Sequence, residues 1–168
     1  MTMRDHDERR ATRSSDDTMG VRIVAALLEV ELVVIAATFF LFALLHLGIQ
    51  LGGIAEPVIL PATVVEAMCG LCMALAAVAA VAGTMRAWQI AVTAHAISIA
   101  GVLLGILAQA RGNGGTALNA VYHRTVLAVM VVGLALLLTR LGRVALRKSP
   151  LTGTYATRSS WRNQHGPA

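Results

Sequence analysis

The sequence predicts an all-α integral membrane protein, an antiparallel bundle of four transmembrane helices with both termini in the cytoplasm. Four long apolar runs, at residues 21–51, 57–83, 87–110 and 117–141, indicate this fold class. Each run provides the about 20 residues that a helix needs to cross the hydrocarbon core of a bilayer. Charged residues make up only 14% of the chain, whereas about 25% is usual for a water-soluble domain.

The basic residues predict the orientation of the bundle. Of the 14 Lys and Arg, only Arg111 and Arg124 lie on or near the two loops that share one side. All the others flank the opposite helix ends or lie in the tails, and Lys and Arg accumulate on the cytoplasmic side of membranes. We therefore expect Arg86 and both termini inside and Gly114 outside.

The chain divides into a membrane domain and two polar tails. We expect residues 1–19 and 149–168 to be disordered in the cytoplasm, because they hold too few large apolar residues to offset the entropy of ordering. Residues 20–148 form the four-helix domain. The use of 13 Arg against one Lys, with abundant Ala, Gly and Val, indicates a bacterial protein of the inner membrane.

The charge pattern also indicates the partners. The basic residues lie beside helix ends, where they meet anionic lipid headgroups, so the sequence argues against nucleic acid as a partner. The lipid bilayer is the expected partner, together with a second copy of the chain or another membrane subunit. Small residues four apart allow helix backbones to approach, and we expect Gly48 with Gly52, and Gly101 with Gly105, to lie at helix contacts.

Two carboxylates interrupt the first apolar run. We interpret Glu29 and Glu31 as lying at the cytoplasmic interface, with the span itself at residues 32–51. The other assignment would place both carboxylates inside the bilayer, where each costs a few kcal/mol.

Ionisable side chains inside the spans are the candidates for a functional site, because they are costly in hydrocarbon. His46, Glu66 and His123 lie about 8–10 Å below the predicted outer ends of their helices, at a rise of about 1.5 Å per residue. If the second helix begins at Pro57, Glu66 lies about 14 Å deep. We predict that these three side chains converge in one layer in the outer half of the bundle.

Such a layer has two interpretations. Two histidines and one carboxylate can bind a transition metal, and two facing histidines can ligate haem. The interpretation that we favour is structural: His46, Glu66 and His123 satisfy one another's hydrogen bonds and hold the helices in register. The sequence thus leaves the cofactor unknown, with none favoured over a metal ion or haem.

His95, Tyr122 and Gln109 are further polar candidates within the spans. Tyr122 and Gln109 are expected just above the layer, and His95 nearer the bilayer centre. A proton pathway through His95 and Glu66, in an oligomeric transporter, is a third functional hypothesis. Arg124 is expected to reach the outer interface or to pair with Glu66.

Cys69 and Cys72 form a CxxC motif in the second run. A four-helix membrane bundle with CxxC resembles the vitamin K epoxide reductase family in outline, and that resemblance implies thiol redox chemistry. The chain holds only these two cysteines and lacks a second pair to relay electrons. Since buried thiols usually behave as small packing residues, we interpret both cysteines in that way.

The sequence assigns no catalytic residue. The spans contain no Asp, and the metalloprotease motif HExxH is missing. The interpretation favoured overall is a non-enzymatic membrane subunit or small-ligand protein with a structural polar layer. A metal- or haem-binding membrane protein is the alternative.

Overall fold

A computed structural model describes residues 3–112 and 115–147 of the chain, with side chains from Met19 onward. These residues form the helices α1 (Met3–His46), α2 (Leu60–Val81), α3 (Ala87–Ala110), α4 (Ala117–Leu138) and α5 (Arg140–Arg147). Within these described ranges there is no β-strand, only an isolated bridge between Leu51 and Ile54. The predicted C-terminal tail and Gly114 lie outside them.

Four helices of the described chain are long and apolar enough to cross a membrane. They comprise Met19–His46, Leu60–Val81, Ala87–Ala110 and Ala117–Leu138. The predicted all-helical fold is confirmed for the described residues, and the four apolar helices are compatible with the predicted multi-pass membrane protein. The third predicted span coincides with α3, whereas the other helical spans are shorter than the apolar runs.

A glycine ends α1 earlier than its apolar run predicts. Gly48 has a φ of 95°, and the N–H of Ile49 donates to the carbonyl oxygen of Leu44 at 3.0 Å. A left-handed glycine followed by this backward bond is the Schellman motif, which closes a helix. Gly52 also has a positive φ, in the following loop. The expectation that Gly48 and Gly52 form a helix contact is therefore wrong.

The structure shows which of two prolines, Pro57 or Pro61, lies at the start of α2. The helix begins at Leu60, so Pro61 lies in its first turn and Pro57 belongs to the loop. Proline suits this position because the first N–H groups of a helix have no partner within the helix. A left-handed glycine, Gly83, follows the other end of α2.

α1 extends well beyond its membrane-length part. Its backbone is helical from Met3, and the disorder that the composition predicts for residues 1–19 stays a prediction. Continuing an existing helix requires no new nucleation. The segment is also rich in Arg, Glu and Ala, which are good helix formers.

α5 is a short helix that the apolar run to residue 141 does not predict. Thr139 has an extended backbone that ends α4, and its Oγ1 accepts a hydrogen bond from the N–H of Gly142 at 3.0 Å. α5 then packs chiefly against α1 and buries Ala145 and Leu146. The guanidinium groups of Arg143 and Arg147 lie 4.9 and 5.2 Å from the ring centre of Trp88.

The spans pack in chain order, α1 against α2, α2 against α3, and α3 against α4. Gly101 and Gly105 lie at close contacts, as predicted: a Cβ at Gly101 would lie 2.6 Å from Sγ of Cys69, and one at Gly105 would overlap the His123 ring. Large apolar side chains such as Leu104 and Val132 are more than half exposed, which suits contact with lipid.

Two ends of the molecule are named here for use below. At the Glu56 end, the loop of residues 47–59 contacts the residue before α4, because Thr116 Oγ1 donates to Glu56 Oε1. At the Trp88 end, the turn of residues 82–86 lies near α5, and Nε1–H of Trp88 donates to the carbonyl of Leu137 at 2.8 Å.

Candidate functional site

Near the Glu56 end, the structure brings a histidine and a carboxylate together inside the protein. His46 is the last residue of α1, and its carbonyl accepts from the N–H of Ile59 at 3.0 Å, which holds the loop against the helix end. Nε2 of His46 lies 3.7 Å from Oε1 of Glu66 on α2. Both side chains are buried. Their separation is too long for a hydrogen bond but close for a charge pair.

His123, the third residue of the predicted layer, lies near the start of α4 and is also buried. Its ring centre is 4.8 Å from that of Tyr122, which stacks on Phe42 with centroids 3.5 Å apart. Gly105 on α3 lies against the imidazole. The aromatic stack and the glycine therefore fix the position of the His123 ring.

The hydrogen bonds define which ring nitrogen of each histidine is free. Nδ1 of His46 contacts the carbonyl of Pro57 at 3.2 Å, and Nδ1 of His123 contacts the carbonyl of Asn119 at 2.9 Å. Carbonyl oxygens only accept, so both Nδ1 atoms must carry the hydrogen. When neutral, each imidazole is thus left with Nε2 as a hydrogen-bond acceptor.

Polar atoms at this site lack hydrogen-bond partners. Both carboxylate oxygens of Glu66, Nε2 of His46 and the hydroxyl of Tyr122 have none within the described part of the chain. A buried polar group without a partner costs roughly 1–3 kcal/mol, more when it is charged. The predicted layer of mutually satisfied side chains is therefore not what the structure contains.

A cavity of about 430 Å³ is lined in part by Glu66 and His123. Glu66 and His123 are its polar groups, and the rest of its wall is apolar apart from the Cys69 thiol. Because the exposed residues Leu104 and Ala108 also line it, the cavity reaches the surface of the protein. We call the cavity with His46, Glu66 and His123 the Glu66 site. Its other lining residues are Phe39, Ile59, Pro61, Ala62, Val65, Gly101, Val102 and Gly105.

The predicted ligand set does not form a compact metal group. Within residues 3–112 and 115–147, no three His, Cys, Asp or Glu side chains lie close enough together to hold a metal ion. His46 and Glu66 approach each other, and His123 reaches the site through the cavity wall it shares with Glu66. Metal or haem ligation by these residues stays a prediction.

A second histidine–glutamate pair lies nearer the Trp88 end. His95 on α3 is fully buried, and its Nε2 lies 3.3 Å from Oε1 of Glu31 on α1. Its Nδ1 donates to the carbonyl of Ala91 at 2.9 Å. A proton must therefore lie between Nε2 and the carboxylate, since neither atom otherwise carries one. We call His95 and Glu31 the Glu31 pair.

The structure shows which way Glu31 faces. It lies within the long apolar helix α1, in the stretch that is long and apolar enough to cross a membrane. Its carboxylate is only 12% exposed. Gly133 on α4 gives it room, because a Cβ at that position would overlap the carboxylate. Glu31 thus faces the protein interior and not the surface of α1, and its depth in the bilayer stays a prediction.

The remaining candidates lie around a second, more polar hollow at the Glu56 end. Gln109 and Arg124 line it with Gly115 and Thr116. Arg124 is exposed, and in the described part of the chain it forms no ion pair with Glu66. Glu56 was not a sequence candidate, yet it is buried and bonded to Thr116. Its position beside Pro57 gave no periodic signal.

Comparison with known proteins adds no family: the chain matches no protein-family model, and no curated protein or solved structure is significantly similar to it.

Proposed function

We propose that this chain is a non-enzymatic protein of the bacterial inner membrane that binds a small lipophilic molecule in the Glu66 site. In this proposal the four spans form an antiparallel bundle with both termini in the cytoplasm. The observation that carries it is the cavity itself, a largely apolar space whose wall includes Glu66, a residue with two unpartnered carboxylate oxygens in the described chain.

The composition of the cavity supports a small molecule as its occupant. Ligand sites typically have volumes of about 300–1,000 Å³, with mostly apolar walls and a few polar groups that fix orientation. The volume of about 430 Å³ fits that range. A polar head that bonds to Glu66 would offset the cost of leaving its two buried oxygens without partners.

The mouth of the cavity supports entry from the lipid. Leu104 and Ala108 lie on α3 at the opening and are exposed. Exposed apolar residues on a membrane span contact lipid chains, so a molecule dissolved in the bilayer can reach Glu66 without first crossing water. A lipophilic body with one polar head suits this route.

The test uses naphthalene compounds that share one ring system and differ in the head: methyl, hydroxymethyl, carboxymethyl and aminomethyl. At least one should raise the melting temperature of the detergent-purified protein saturably. Ala108→Phe fills the mouth of the cavity and should abolish that shift. The matched control is Ala100→Phe, which places the same ring on an exposed position of α3 away from the cavity and should retain it.

Two results would overturn the proposal. One is a series in which no head group shifts the wild-type protein; the other is an equal shift in Ala108→Phe and Ala100→Phe. Elemental analysis and an absorption spectrum of the same sample address the metal alternative. Stoichiometric metal or a haem spectrum that disappears in His123→Gln would assign His46, Glu66 and His123 to that cofactor instead.

A proton pathway is the second candidate, because two His–Glu pairs lie at different depths. His95 and Gly105, which contacts His123, lie ten residues apart on α3, about 15 Å at a rise of about 1.5 Å per residue. Proton flux into proteoliposomes should then fall in both Glu31→Gln and Glu66→Gln. A wild-type rate equal to that of empty liposomes would eliminate this candidate.

The proposed orientation has its own test. Ile54 and Met85 are exposed in loops at opposite ends of the molecule. In intact cells, an impermeant thiol reagent should label Ile54→Cys and spare Met85→Cys. Wild-type protein, with its native Cys69 and Cys72, provides the background. The reverse labelling pattern would invert the topology.

A further inference from the structure

We infer that the ligand of the Glu66 site is a lipophilic cation with N–H donors, an amine with an apolar body, which replaces a proton when it binds. This inference rests on the proposed function and specifies its ligand class. It comes from the hydrogen-bonding capacity and the charge of Glu66 and His123 in the cavity wall and of His46 beside Glu66.

The hydrogen bonds at the site require a donor. Nδ1 of His46 and Nδ1 of His123 already donate to backbone carbonyls, so their Nε2 atoms are acceptors. The two oxygens of Glu66 also accept and have no partner in the described chain. An ammonium group has three donors and no acceptor, which complements this set. A hydroxyl has one donor, and a carboxylate has none.

The charge of the site points the same way. An isolated carboxylate in an apolar membrane region is costly, so the empty site is most stable when it holds one proton, on Glu66 or on His46, whose side chains lie 3.7 Å apart. No other ion pair involves Glu66 within the described residues. A bound ammonium forms an ion pair with the carboxylate, and the net charge of that pair is zero. The ammonium thus replaces the proton as the compensating positive charge.

The exchange balances without any co-reactant. One ammonium enters, its N–H groups bond to the carboxylate, and one proton leaves to solvent. No covalent bond is formed, and nothing is oxidised or reduced. A neutral ligand leaves the proton in place, and an anionic one adds a second negative charge beside Glu66.

Among the described residues no Lys or Arg lines the cavity, so no permanently charged side chain in its wall takes the place of the ammonium. α1 contributes a histidine, α4 a histidine and a tyrosine, the loop before α2 a carboxylate, and α2 itself a thiol. From α3 the cavity wall contains only apolar residues and glycines. The groups concerned are His46, His123, Tyr122, Glu56 and Cys69.

The experiment compares 1-naphthylmethylamine with 1-naphthylmethanol, which share one ring and differ in the head group. Each is titrated by calorimetry into the detergent-purified full chain, with proton release followed in weak buffer. Ala108→Phe provides the correction for uptake by micelles. We expect the amine to bind at least tenfold more tightly than the alcohol and to release close to one proton per molecule bound.

Glu66→Gln supplies the matched variant. It should lose at least tenfold in affinity for the amine, release no proton, and keep its affinity for the alcohol. If Glu66→Gln does not fold, the head-group preference and the proton count of the wild type decide the question.

The outcomes separate the two proposals. Equal or tighter binding of the alcohol, or amine binding without proton release, would overturn the inference and leave the lipophilic-ligand function intact. Unchanged amine affinity in Glu66→Gln would also overturn it. Binding of neither compound, together with none of the other head groups, would remove the function itself.

Discussion

The Glu66 site and the Glu31 pair use the same chemistry and differ in what surrounds it. In each, a buried histidine donates from Nδ1 to a backbone carbonyl and turns Nε2 toward a glutamate from another helix. In the Glu31 pair the two atoms approach to 3.3 Å, and Gly133 closes over the carboxylate. In the Glu66 site they stay 3.7 Å apart, and a cavity opens beside them.

This difference shows how one residue combination can serve two purposes. The Glu31 pair is satisfied and closely packed, so it holds α1 and α3 together. The Glu66 site leaves acceptors free beside an open space, which contributes little to stability and leaves them available to a ligand. The predictions below test this contrast by changing one region and measuring against the other.

The largest effect is expected at the Glu31 pair. Glu31→Ala leaves the buried His95 without its partner and should cost about 3 kcal/mol, the lower end for breaking a buried pair. The measurement is reversible unfolding in mixed micelles. Glu31→Gln is the control, because its amide can still donate to Nε2 of His95 and should restore most of the loss. Wild-type stability in Glu31→Ala would mean that the contact contributes nothing.

A smaller loss of stability is expected when Gly133, the glycine beside the Glu31 carboxylate, is replaced. Gly133→Ala places a Cβ where the Glu31 carboxylate lies and should cost roughly 1–3 kcal/mol, as overpacking usually does. Val132→Ala, on the exposed neighbouring position, should be nearly neutral by the same unfolding assay. Similar losses in the two variants would show that Glu31 is free to move aside.

The loop contact at the Glu56 end should contribute about 1 kcal/mol. Thr116 caps α4, since its Oγ1 accepts from the N–H of Asn119 at 3.2 Å, and it also donates to Glu56. Thr116→Val removes both bonds, and loss of a cap typically costs about 1 kcal/mol. Thr116→Ser keeps the hydroxyl and should match the wild type. A stable Thr116→Val would assign the cap no energetic role.

The smallest effect on stability is expected at Glu66. Glu66→Ala removes a buried carboxylate that makes no hydrogen bond in the described chain. Because no hydrogen bond is lost, the free energy of unfolding should change by less than about 1 kcal/mol. The same substitution is expected to be costly at residue 31. The difference in stability loss between Glu31→Ala and Glu66→Ala therefore tests directly whether the two sites differ in their structural role. A loss at Glu66 as large as that at Glu31 would make both pairs structural.

The spans were predictable because apolar length dominates the sequence. α3 has its predicted bounds, since Arg86 and Arg111 delimit the run on both sides. The ends of α1 and α4 were not predicted: Gly48 stops one helix inside an apolar run, and Thr139 breaks the other. In both cases the local backbone conformation overrides hydropathy.

The site was predictable only where depth could be counted from a sharp helix end. Counting from Pro61 gave Glu66 a depth that matched His46, and the structure places the two 3.7 Å apart. No such reference was available for Glu31. The first apolar run is longer than a membrane requires, so the sequence does not show which helical turn is the first inside the bilayer. The cavity could not be predicted, since it depends on how side chains of three or more helices pack.

The central claim is that the Glu66 site receives a lipophilic amine and the Glu31 pair does not. The most direct measurement is photo-cross-linking with 1-naphthylmethylamine that carries a diazirine, followed by peptide mapping. Adducts should lie within residues 59–69 and 101–108, which line the cavity, and unlabelled amine should suppress them. Adducts concentrated around Glu31 and His95, or spread over the lipid-facing residues without competition, would contradict the claim.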